Sequence, residues 1–143
     1  MEKLVELNRK RIFSLSDAQE LLPIIQRITR QHSEKVESLI NRIEAASSLS
    51  PDAVERLEAE INSEVQGWQT KLEKLGVQPK GLWVADFDSG DGYFCWKFPE
   101  TEVAHWHRYS DGYSGRLPID KYMSQTKKNS KLSELENNPH QTI

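Results

Sequence analysis

Apolar residues recur at Leu21, Ile25, Ile28, Val36, Leu39, Ile43 and Ala46, with His32 filling one slot, so one stripe stays on one helical face. Ser14 suits the N-cap of this helix, Asp17 puts negative charge in its first turn, and Phe13 can staple onto Ala18. Pro23 interrupts the pattern; lacking an N–H and crowding the carbonyl of Gln19, it predicts a bend or a broken first turn. Ser50 and Pro51 mark a second start, and a second stripe runs Val54, Leu57, Ile61, Val65, Trp68, Leu72, Leu75. Gly76 follows as a C-terminal cap. The two stripes predict an antiparallel helical hairpin over residues 13–75, with arms of roughly 48 and 37 Å at 1.5 Å per residue.

After Pro79 the period changes from helical to alternating. Leu82–Phe87 and Tyr93–Phe98 are β-favouring runs around the turn-forming Asp88-Ser89-Gly90-Asp91-Gly92, and Glu102–Arg108 reads as a third strand. The expected fold class is therefore α+β: a long helical hairpin followed by a small three-stranded antiparallel sheet over 81–119. Residues 1–119 form a single domain in this reading, and the polar stretch 120–143 is expected to be a disordered tail.

Strand alternation sorts the β unit into two faces. One register gathers Phe94, Trp96, Phe98, Ala104 and Trp106 on one side, and Tyr93, Cys95, Lys97, Val103, His105 and His107 on the other. The aromatic side is expected to pack on the helices, and the Cys/His side to meet solvent, ligand or partner. Nine of the twelve aromatics fall between Trp83 and Tyr113, which makes this region either a dense small core or a site.

Composition narrows the choices. A formal net charge of −3 leaves no overall footprint for nucleic acid, and the short basic patches Arg9–Arg11 and Lys127–Lys131 read as solvated charge. A single cysteine makes no internal disulfide and fits a reducing cytoplasm. No apolar run approaches the roughly 18 residues of a membrane span, and the first residues lack the pattern of a signal peptide.

Cys95, His105 and His107 share a strand face and are donors of the kind that zinc takes, with Asp86 and Glu102 near in sequence. A Cys95–His107 nucleophile pair would need an orienting acid and an oxyanion pocket, neither visible in the sequence. The loop Gly112–Arg116 offers backbone N–H groups and a guanidinium to an anion, or else forms a tight turn whose Arg116 pairs with a nearby carboxylate.

The ordered set Leu22-Pro23, Asp86-Phe87, Cys95-Trp96, Glu102, Trp106-His107, Gly112 and Gly115-Arg116 resembles the prokaryotic domain-of-unknown-function family 2203. The resemblance covers roughly Phe13 to Ile119. It departs at His105, where an aromatic is usual, and at Trp83, where glycine is usual. It implies a domain and a focus on Tyr93–Arg116, and it carries no activity with it.

Two stripes that two helices cannot hide from each other's solvent side favour dimerisation through a four-helix arrangement. The leading expectation is a cytoplasmic, non-enzymatic interaction or scaffold module that forms a homodimer, with a further protein partner conceivable. A division-associated coiled coil is disfavoured by Pro23 and the short heptad run. The competing expectation is a small-molecule or zinc site, enzymatic or not, at Cys95, Glu102, His107 and Arg116. Candidate ligand-contacting residues are Asp86, Cys95, Glu102, His107, Tyr113 and Arg116; candidate metal ligands are Cys95, His105 and His107.

Overall fold

The structure, a computed structural model, describes residues 11–45 and 48–124. Two long helices, α1 (Leu15–Ala45) and α2 (Pro51–Lys74), precede an antiparallel sheet, which confirms the α+β class. The sheet has five strands in sequential order: β1 (Gln78–Pro79), β2 (Val84–Asp88), β3 (Tyr93–Lys97), β4 (His105–His107) and β5 (Leu117–Pro118). The two strands beyond the expected three are two-residue edges, too short to leave an alternation in the sequence.

The helix ends follow local chemistry. Ser14 Oγ accepts from the Asp17 N–H while Asp17 Oδ2 accepts from the Ser14 N–H, a capping box with aspartate in the acidic position. Ser50 caps α2 through the Ala53 N–H. Gly76, at φ +80°, closes α2 by donating to Glu73 O, while the Val77 N–H donates to Leu72 O. Arg11 lies across the Phe13 ring and reaches the Leu75 carbonyl, so it is not free tail charge. The helix α1 runs unbroken through Pro23. Pro23 faces solvent, where water can take the carbonyl that its missing N–H leaves open.

Sheet and hairpin meet over one core, in which Phe13, Ile25, Trp68, Phe87, Phe94, Trp96 and Trp106 are among the buried side chains. The Trp68 indole donates to Thr29 Oγ1 at 2.9 Å inside it, tying the helices together with both polar atoms satisfied. Trp83 sits at φ 60°, a region that glycine enters freely and tryptophan rarely does. Its ring meets Trp68 edge-on with centroids 5.0 Å apart. Val103, expected on the Cys/His face, lies in this core instead, because the third strand begins only at His105. The Gln19 carboxamide bonds both backbone groups of Val103, donating to its carbonyl and accepting from its N–H at 3.0 Å.

Residues 119–124 are helical, so the stretch from Asp120 is ordered at its start. Tyr122 stacks on Trp106 with centroids 4.3 Å apart, and its hydroxyl donates to Asp91. The remainder of the expected tail, 125–143, lies outside the described residues, as does the basic patch at Lys127–Lys131.

Candidate functional site

The pairing register puts the expected residues on one face of the sheet. Asp86 pairs with Cys95 and Cys95 with His105, forming one row across β2, β3 and β4; Asp88, Tyr93 and His107 form the next. Partners across antiparallel strands project to the same side. The core-facing set Phe87, Phe94 and Trp106 forms the matching row on the other side.

At its centre this second face is not wet, although Lys97 is exposed and His105 half-buried. Cys95 is 0% exposed, Asp86 1% and His107 2%, which corrects the expectation of a solvent-facing Cys/His strand. The chain after β4 folds back over the face: Tyr109 packs edge-on against Tyr93, Tyr93 lies against the His107 ring, and Arg116 comes beside Cys95. Strand parity gives the side of a sheet but not what covers it.

His107 Nε2 lies 2.9 Å from Asp86 Oδ2, and His107 Nδ1 lies 2.8 Å from the Arg108 carbonyl. A carbonyl only accepts, so Nδ1 carries a proton and Nε2 is the nitrogen turned toward Asp86 and Cys95. Asp86 Oδ1 is buried without a hydrogen-bond partner, the Cys95 thiol beside the carboxylate being a weak donor. Burial pushes the Asp86 carboxyl above its ordinary value, against the pull of His107, Cys95 and Lys80. Burial, then the Asp86 carboxylate, push the Cys95 thiol far up, and Arg116 offsets only part of this. A thiol held protonated in this way lacks what a nucleophile needs, and the conceived Cys95–His107 pair has Asp86 against its imidazole.

Donor atoms of Asp86, Cys95 and His107 all lie within 4.8 Å of one another. Among the described residues these three are the group placed to hold a metal ion. His105, expected as a ligand, is not one of them; its Nδ1 is buried without a hydrogen bond, 3.9 Å from Glu100 Oε2.

Arg116 and Tyr113 stand at the rim. Arg116 Nη1 donates to both carboxylate oxygens of Glu100, at 3.1 and 3.0 Å, and its guanidinium lies 4.2 Å from the Tyr113 ring centroid. The Gly112–Arg116 segment is thus the tight turn with a paired arginine, its Tyr113–Gly115 part forming a single 3-10 turn. Glu102 is exposed and takes no part. The carboxylate that matters is Glu100, whose Oε1 also accepts from the Lys97 N–H. A glutamate directly after Pro99, facing an arginine sixteen residues on, leaves no periodic signal in the sequence.

Among the described residues no helix is long and apolar enough to cross a membrane. No curated protein and no solved structure matches the chain. The model of a family described as an uncharacterized conserved protein (DUF2203) matches residues 11–119, a span that includes α1, α2, the whole sheet and the group Asp86, Cys95 and His107. The chain belongs to the DUF2203 family.

Proposed function

We propose that this protein binds a transition-metal ion, zinc by its donor set, through Asp86, Cys95 and His107. The observation that carries the proposal is the orientation of His107: its Nδ1 is tied to the Arg108 carbonyl, which leaves Nε2 aimed at the carboxylate and thiol. Metal-bound histidines are commonly held this way, by a carbonyl or carboxylate on the other nitrogen. Carboxylate, thiolate and imidazole together suit zinc and offer two negative charges to a dication. The buried Asp86 Oδ1, without a partner, is the atom that an ion would satisfy.

Ligand atoms around tetrahedral zinc stand about 3.3–3.8 Å apart, given bonds of about 2.0–2.3 Å. The Asp86–His107 contact at 2.9 Å would open by about 0.4 Å, and the widest separation, 4.8 Å, would close by about 1 Å. Binding also requires loss of the Cys95 proton, which couples affinity to pH. The ligands lie beneath Arg116, Tyr93 and Tyr109, so the reading is of a metal-binding rather than a catalytic centre, in a compartment reducing enough to keep Cys95 a thiol.

The test is native mass spectrometry of untagged protein together with zinc titration against a chromophoric chelator. One zinc per chain is expected, lost in Cys95→Ser and in His107→Ala. Binding no tighter than micromolar, or equal binding by both variants, would sink the reading.

A further inference from the structure

We infer that the outer half of the hairpin is an antiparallel docking surface for a second copy of this chain, with a two-fold axis crossing near Val36 and Ile61. This goes beyond the metal reading and does not depend on it.

The last described contact between α1 and the β unit is made near Arg30, which lies over Phe98. Past that level His32 is tied to Glu64, linking α1 to α2. From residue 37 to 45 and 51 to 60, Leu57 is the one buried side chain. Leu39, Ile43, Val54 and Ile61 are half-buried and Ile40 is 39% exposed. Two helices side by side leave such a stripe half covered, and a second pair completes it.

Charge selects the occupant and its direction. The outer segments 37–45 and 51–60 hold six acidic side chains against Arg42 and Arg56. The middle level, 26–36 and 61–71, holds Arg27, Arg30, Lys35 and Lys71 against Glu34 and Glu64. A parallel pair would set acid on acid. An antiparallel pair sets each acidic tip on the other's basic middle. With the contacts between α1 and α2 fixing the levels, Arg27 and Arg30 of one copy come level with Asp52 and Glu55 of the other, while Lys35 lies 3.9 Å from Glu64 of its own chain. Ile61 then meets its own counterpart on the axis, as an isologous interface requires.

The size is adequate. An arm about 30 Å long, from about 20 residues per helix, and about 20 Å across covers about 600 Å² on each partner. The total of about 1,200 Å² lies at the lower edge for a specific complex, which predicts micromolar association weakened by salt.

Sedimentation velocity on the full chain tests this. Wild type is expected to be a dimer at tens of micromolar and to dissociate as salt rises, while Ile40→Glu is expected to be monomeric with unchanged helicity. Arg30→Glu should weaken the dimer at least about tenfold, and Arg30→Glu with Glu55→Arg should restore it to within about threefold. These sites are exposed, so the variants should keep the fold. A wild-type monomer throughout, or a charge swap that fails to restore association, overturns the proposal.

Discussion

His107 and Asp86 face each other across two strand intervals, Nε2 to Oδ2 at 2.9 Å, with both side chains out of water. Because Nδ1 already donates to the Arg108 carbonyl, the short contact needs a further proton, on the imidazole or on the carboxyl. Burial favours neutral groups, and the rise in the Asp86 carboxyl expresses that cost. The metal-free pair is therefore held at an expense that a bound cation would remove.

Replacing Asp86 by asparagine separates the two roles. An amide can donate to a neutral Nε2 without a buried charge, so Asp86→Asn should leave the metal-free fold as stable as wild type, or more stable by about 1 kcal/mol. Zinc affinity should fall by at least about a hundredfold, since loss of a partner outside the ligand set alone costs tenfold or more. Urea denaturation with chelator present reads the first quantity, and competition titration the second. A variant that unfolds without metal, or that binds zinc normally, contradicts this account.

Alkaline pH should weaken the metal-free protein through Cys95. Its folded thiol holds the proton far above the ordinary value, whereas in the unfolded chain it ionises at about pH 8.5. Above that pH the folded state binds more protons than the unfolded state, so stability falls as pH rises, by about 1.4 kcal/mol per pH unit at most. The contribution is fully present below pH 8.5. Urea midpoints between pH 8 and 10 should decline more steeply for wild type than for Cys95→Ser; parallel slopes would show that the thiol is not the source.

Gly92→Ala should be severe. A Cβ there would overlap the Trp106 ring and come 2.5 Å from the His107 carbonyl, backbone of β4. We expect a loss of about 3 kcal/mol or more, with weakened zinc binding because β4 must shift. Gly112→Ala is the control: nothing lies within 4 Å of its Cβ and its φ is negative, so stability should stay within about 1 kcal/mol. Equal effects of the two substitutions in thermal unfolding would refute the packing argument.

The helix boundaries were legible because each rests on contacts three or four residues away: Ser14 with Asp17, Ser50 with Ala53, Gly76 with Glu73. Which residues share a sheet face was legible too, since alternation depends only on backbone pleat. Tyr93, Cys95, His105 and His107 share a face as that alternation requires. The errors lie where long-range packing decides. Glu102 and Glu100 are two residues apart, and only the path of the chain after β3 selects Glu100 for Arg116. His105 and Asp86 both flank Cys95, and only side-chain geometry brings Asp86 rather than His105 to His107.

The sequence by itself determined the α+β order, the caps, the strand alternation and the residue types able to bind a metal, because these follow from periodicity and local hydrogen bonding. Only the tertiary structure decided that the Cys/His face is buried, that Asp86 completes the cluster, and that Tyr122 and the two short edge strands finish the core. Those outcomes depend on which segment folds back over the sheet. Such contacts join residues from eight positions apart, as Gln78 and Asp86, to thirty-one, as Asp91 and Tyr122, and leave no period along the chain.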